Sequence, residues 1–161
     1  MTRAPASDKM AQRFAQSLAL GVPAALLAGA YIGQYGFALY PCEMCWWQRW
    51  PHFAAVGLAL VSTIAAPRRV WIALAALAIL VSGAVGAFHA GVEYGWWEGL
   101  TACSTPALGG GDPLDAIMNA PLVRCDEVQW SLLGVSLAGW NFLISTVAGL
   151  TILALLRRPA R

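Results

Sequence analysis

Charge is what this chain has least of. Only 11% of its 161 residues are Asp, Glu, Lys or Arg, against 59% hydrophobic, and the mean hydropathy is +0.62. Soluble domains carry about a quarter charged residues, so that class is excluded. The few charges are also clustered. None falls between Phe14 and Cys42, Trp50 and Pro67, Val70 and Val92, or Val128 and Leu156. A bilayer core takes about 20 apolar residues as helix, so these runs predict an all-α membrane protein with four spans, at 14–40, 46–66, 70–92 and 132–156. The second run reaches full length only if its helix starts before Trp50, which places Arg49 near the water interface. Linkers, internal repeats and low-complexity tracts are lacking too, leaving one integral membrane domain over 1–161.

The sign of the charges orients the bundle. Arg3, Lys9 and Arg13 precede the first span, Arg68 and Arg69 separate the second and third, and Arg157, Arg158 and Arg161 follow the fourth. Basic residues mark the cytoplasmic side, so both termini are expected inside. A short loop at 41–45 and a long one at 93–131 then face out. The net charge of +2 is a topology signal and no evidence for a nucleic-acid partner. The first apolar run exceeds a signal-peptide core, and its removal would break the charge alternation, so it is read as a retained span. Gly29, Gly33 and Gly36 in that run read as helix-packing positions. Within the long loop, Gly109 to Pro113 read as a turn. Leu114, Asp115 to Met118 and Leu122 predict a short amphipathic helix lying on the bilayer.

All four cysteines, Cys42, Cys45, Cys103 and Cys125, fall on the outer side, where disulfides persist. Two structural disulfides are one reading. A CxxC ring is a poor staple, because so short a loop removes little chain entropy, and tight dithiols with a lowered thiol pKa are more often redox-active. Redox use is therefore the preferred reading. A zinc site is weaker, since the second pair lacks metal-like spacing, and no metal is expected. Attached c-type haem needs a histidine directly after the motif, whereas Trp46 follows Cys45.

A helix starting near Cys45 would put that sulfur at a positive helix terminus, which favours thiolate. Arg49 falls one turn later on the same face. It is either a snorkelling interfacial cation or a group that holds a sulfur anion or a carbonyl oxygen. The second is preferred, because Arg49 is the one basic residue near the first outer loop. Trp46, Trp47 and Trp50 read as an ordinary aromatic belt. His89, near the outer end of the third span with Glu93 one turn on, is open between packing and function. Arg124 and Asp126 beside Cys125 read as loop solvation.

With these residues in hand, the chain resembles the disulfide bond formation protein B family of bacterial membrane thiol oxidases. The likeness runs over nearly the whole length. It includes Pro41-Cys42-x-x-Cys45-x-x-Gln48-Arg49, then His89-x-x-x-Glu93, then the second cysteine pair and Cys125-Asp126-Glu127-Val128-Gln129-Trp130-Ser131-Leu132-Leu133-Gly134. Departures are modest: Gln48 stands where some relatives have an acid, and the proline often found before Trp140 is absent.

The resemblance implies an inner-membrane protein-dithiol:quinone oxidoreductase. Its partner would be a soluble periplasmic thiol oxidase of the thioredoxin fold (DsbA-like), whose thiolate attacks a Cys103–Cys125 disulfide at Cys103. Cys125 would then communicate with Cys42, and the Cys42–Cys45 pair would reduce a membrane quinone, ubiquinone or menaquinone. Cys45 would face the quinone, with Arg49 interacting with it and His89 near its ring. The soluble partner is a strong oxidant, at about −120 mV, and 30 mV is worth about 1.4 kcal/mol for two electrons. Thiol exchange alone would stall against such a gap, and a lipid-soluble acceptor supplies the drive. A quinone reductase of the vitamin K epoxide reductase type is the neighbouring alternative, although its quinone-proximal CxxC typically comes late in the chain. A non-catalytic scaffold stapled by two disulfides is the alternative from another class. Oligomeric state is not written in the spans.

Overall fold

Long charge-free runs leave the backbone no water to bond to in lipid, so it must satisfy itself as helix. The computed structural model, which describes residues 6–100 and 123–157, has this form. Among those residues stand four helices: α1 (Ala6–Gly36), α2 (Glu43–Ile64), α3 (Arg68–Glu93) and α4 (Leu137–Arg157). The expected all-α four-helix bundle is what the described residues form. α3 packs on both α2 and α4, and α1 closes against the same two helices. By length and composition α1, α3 and α4 can each cross a membrane. α2 does not meet that measure, because Glu43, Gln48, Arg49 and His52 crowd its first ten residues.

Helix limits and charge-free runs do not coincide. α1 begins at Ala6, eight residues ahead of the expected span at 14–40, and ends at Gly36, short of residue 40. There the Phe37 and Leu39 amides both donate to the Gly33 carbonyl, at 3.1 and 3.0 Å, and Ala38 turns the chain with φ 54°. The first outer loop therefore starts earlier than the charge pattern predicts. Apolarity says where lipid can lie, not where the backbone turns. At the other end, β1 (Ser131–Leu132) and β2 (Val135–Ser136) form an antiparallel hairpin. Leu133 at φ 55° and Gly134 at φ 78° make its two-residue connection, the left-handed pair that a type I′ turn requires. Ser136 then caps α4, its Oγ accepting the Gly139 amide at 3.1 Å. This cap starts the helix without the proline missing before Trp140.

The bundle interior is layered. One end is packed with small side chains: Ala15, Ala19, Ala55, Ala59, Ala75 and Ala76, with Ile72, Ile79 and Ile152 filling between them. The opposite end holds a second cluster of Cys42, Met44, Val92, Val123 and Cys125. Large apolar side chains such as Ile32, Leu60, Val81 and Val147 point outward, as a lipid-facing surface requires.

α3 and α4 touch backbone to backbone at Gly86. A Cβ there would lie 2.9 Å from the Ala138 carbonyl oxygen and 3.0 Å from Asn141 Nδ2. Gly86→Ala therefore has to push the helices apart, and overpacking of this kind costs about 1–3 kcal/mol. We expect a lower thermal midpoint in detergent for Gly86→Ala and none for Gly21→Ala, whose Cβ meets nothing within 4 Å. Equal midpoints would contradict this packing.

Candidate redox site

Cys42 caps α2. Its extended backbone (φ −73°, ψ 176°) turns Sγ back over the first turn, where it accepts the Cys45 amide at 3.2 Å. That geometry brings the two sulfurs to 2.9 Å as a dithiol, beyond the roughly 2.05 Å of a disulfide bond. Cys42 is 1% exposed, while Cys45 is half-buried. The Cys42 thiol donates to the Cys45 sulfur, and this bond, with burial, holds the Cys42 thiol well above its ordinary range. On loss of a proton from the pair, the Cys45 sulfur, which accepts the Cys42 hydrogen bond, is the one placed to carry the charge. The α2 dipole favours a thiolate at this end of the helix.

Three elements converge on Cys42. From α3, His89 Nε2 approaches its sulfur to 3.6 Å. From the returning outer segment, Cys125 and Val123 complete the buried cluster around it. Cys42 Sγ, Cys45 Sγ and His89 Nε2 lie within 4.8 Å of one another. These are donor atoms a soft metal ion would use, one fewer than a closed structural zinc site has. Glu93 Oε1 lies 3.8 Å from His89 Nε2, and the Glu93 Oε2 atom is buried without a hydrogen-bond partner among the described residues.

Arg49 points the other way, toward α1. Its NH1 donates to Gln34 Oε1 at 2.7 Å and its NH2 to the Ala30 carbonyl at 3.4 Å. The guanidinium lies 5.0 Å from the Tyr31 ring centre and 4.9 Å from that of Trp46, the range of cation–π contact. Trp46 is therefore more than a belt residue. Trp46, Trp50, Phe53, Tyr31 and Tyr35 continue as a chain of ring contacts 6.0 to 6.5 Å apart. Trp50 and Tyr35 are 64% and 79% exposed, so the patch opens on the lipid side. A cationic donor beside Cys45, set in an aromatic face reachable from the bilayer, fits a flat ring bearing carbonyl oxygens.

Behind His89 runs a layer of uncharged polar groups that charge counting passes over. Gln48 Nε2 lies 2.8 Å from His89 Nδ1, and Asn141 Nδ2 lies 2.8 Å from Gln48 Oε1. Asn141 Oδ1 meets His52 Nε2 and Ser145 Oγ, both at 2.9 Å. Ser82 Oγ meets His52 Nε2 at 2.9 Å and donates to the Gln48 carbonyl at 2.8 Å. The spacings Gln48/His52 and Asn141/Ser145, each four apart within an expected span, were the available signal, since polar groups inside a membrane bundle turn inward and pair.

Of the residues expected from the sequence, Cys42, Cys45, His89 and Cys125 meet at one end of the bundle, and Arg49 lies one turn below. His89 turns its Nε2 to Cys42 and its Nδ1 to Gln48. Cys103 lies outside the described residues, as do the turn and amphipathic helix expected at 109–122. Arg124 pairs with Asp126 and Glu127 on the exposed loop, and its guanidinium holds the Asp126 carboxyl below the usual carboxylate range. That fits loop solvation.

The chain matches the family described as "Disulfide bond formation protein DsbB" over residues 12–155. It is 34% identical to disulfide bond formation protein B of Verminephrobacter eiseniae, over 96% of this chain and 90% of that one. It is 35% identical to the protein of that name from Azoarcus sp., over 83% and 85%. With the one from Marinobacter nauticus the identity is 29%, over 89% and 93%. No solved structure matches the chain significantly. A match of this extent, over a helical bundle that gathers Cys42, Cys45 and Cys125 at one end, places the chain in the disulfide bond formation protein B family, whose members are membrane oxidoreductases of disulfide formation.

Proposed function

We propose that this protein reoxidises a reduced, soluble periplasmic thiol oxidase of the thioredoxin fold (DsbA-like) and passes the electron pair through its two cysteine pairs to membrane quinone. The single observation that carries this reading is the position of Cys42. It shares one buried cluster with Cys125 and lies 2.9 Å from Cys45, so a sulfur that can exchange with the outer pair is hydrogen-bonded to the one next to Trp46 of the aromatic patch.

The steps balance as thiol exchange. The partner's thiolate attacks Cys103, which breaks the Cys103–Cys125 bond and leaves the electron pair on Cys125. Cys125 then attacks Cys42 of the inner disulfide, forming Cys42–Cys125 and releasing Cys45 as thiolate. When the partner's second thiol has freed Cys103, that thiolate attacks Cys125 and expels Cys42, restoring the outer disulfide. Cys42 and Cys45 are now a dithiol, and closing their disulfide gives up two electrons and two protons. A bound quinone, ubiquinone or menaquinone, supplies the acceptor for that pair. Arg49, held between Tyr31 and Trp46, would hold a carbonyl oxygen and keep the ring beside Cys45.

In this reading the protein lies in the bacterial inner membrane with both termini cytoplasmic, as its basic residues favour. α2 is the fourth span. Its 22 residues amount to about 33 Å of helix, and its polar first half is covered by the other helices. The experiment is direct. Purified protein mixed with quinone and the reduced partner should bleach quinone absorbance at a rate set by the protein concentration. Equal bleaching by a variant with all four cysteines changed to serine would overturn the proposal.

A further inference from the structure

The amides behind His89 have only one self-consistent orientation. Gln48 Nε2 lies 3.2 Å from the Met44 backbone carbonyl as well as 2.8 Å from His89 Nδ1. Asn141 Nδ2 lies 3.2 Å from the Ser82 carbonyl oxygen and 2.8 Å from Gln48 Oε1. A backbone carbonyl only accepts. Exchanging O and N in either amide would set two oxygens against each other at that distance. Both amides are pinned, and each pin agrees with the other.

The orientation fixes a proton. Gln48 donates to His89 Nδ1, so that nitrogen carries the lone pair, and in the neutral ring the hydrogen sits on Nε2. The groups at the Nε2 edge are acceptors: Cys42 Sγ at 3.6 Å, Glu93 Oε1 at 3.8 Å, and the Cys125 backbone. On the far side, His52 Nε2 and Ser145 Oγ both donate to Asn141 Oδ1. The line from His52 through Asn141 and Gln48 to His89 therefore donates in one direction throughout, across α2, α3 and α4, and ends at the Cys42 sulfur. Bonds in such a series polarise one another in a low-dielectric interior.

We infer that Gln48 is a positioning residue that locks His89 in its Nε2–H form, aiming a buried hydrogen-bond donor at the junction of Cys42 and Cys125. The inference rests on the proposed exchange for its use. When Cys103 attacks Cys125, the Cys125–Cys42 bond breaks and its electron pair goes to the Cys42 sulfur, a buried atom with no water to receive the charge. The His89 donor stabilises that leaving thiolate. The same polarity means that Nε2 offers a proton, not a lone pair, toward the two sulfurs, so the trio is not built to hold a metal ion.

The test is the proton itself. The chain has two histidines, so histidine labelled with nitrogen-15 in the full protein in nanodiscs gives two rings, and His52→Gln identifies the other. His89 should show a protonated Nε2 and a bare Nδ1. In Gln48→Glu a carboxylate, which only accepts, replaces the donor, and the proton should move to Nδ1. A wild-type ring with its proton on Nδ1, or a Gln48→Glu ring that keeps it on Nε2, would overturn the inference. Neither readout requires turnover, so each stands apart from whether the proposed electron transfer occurs. Kinetically, Gln48→Glu should slow transfer between the cysteine pairs about tenfold, or 1.4 kcal/mol. It should also change the pH dependence of that transfer, since a carboxylate in place of the amide adds a titrating group beside His89. The titratable groups around His89 are Cys42 on the first loop, Cys45 on α2, Glu93 on α3 and Cys125 on the returning segment. Equal rates and pH profiles in Gln48→Glu and wild type would reject the role in exchange, even with the tautomer as stated.

Discussion

Cys45→Ser should stop quinone reduction while leaving thiol exchange between the partner and the outer cysteine pair intact. Loss of a covalent sulfur removes the reaction and not merely a contact, so the expected fall is on the order of a thousandfold or more. The remaining chemistry makes the result specific. Cys42 stays capped on α2 within the cluster that contains Cys125, but without Cys45 it cannot close the inner disulfide. Electrons from the reduced partner should therefore stall on the outer pair: with no inner disulfide to take them, Cys103 and Cys125 accumulate as thiols, detectable by alkylation and peptide mass spectrometry. Retained quinone bleaching in this variant would remove Cys45 from the reaction.

Arg49→Ala should raise the KM for quinone roughly 10- to 100-fold, since hydrogen bonds to charged groups are worth about 1.5–3 kcal/mol. Exchange with the soluble partner should be untouched, because Arg49 faces Gln34 and Ala30 on α1 and not the Cys125 side. Arg49→Lys should not restore the wild-type value. Lysine has neither the planar face that lies against Tyr31 and Trp46 nor the fork that bonds two α1 oxygens at once. An unchanged KM in Arg49→Ala would count against this residue as the carbonyl holder.

Much of this molecule was legible before any coordinates. Charge-free runs between basic clusters predict helices in lipid because desolvating a charge is costly wherever it sits, and that rule needs no neighbours. The position of Arg49 one turn after Cys45 follows from helix geometry alone. Helix limits were less legible. Gly36 ends α1 and Ser136 starts α4 through hydrogen bonds among adjacent residues, inside stretches that hydropathy treats as uniform. The tryptophans were readable as interfacial, but the stacking of Trp46 on Arg49 was not, since it depends on how the α1 and α2 faces meet.

The amino-acid order by itself determined that this chain lives in a bilayer, brings Cys42, Cys45 and Cys125 toward one end, and carries a CxxC with a cation one turn away. These properties come from solvation and helical periodicity, which act residue by residue. Only the tertiary structure decided that His89, 47 positions from Cys42, turns a ring nitrogen to its sulfur, and that Gln48 and Asn141 fix the direction of every bond behind it. An amide or imidazole has two faces of opposite character, and which one is presented depends on partners supplied by other helices.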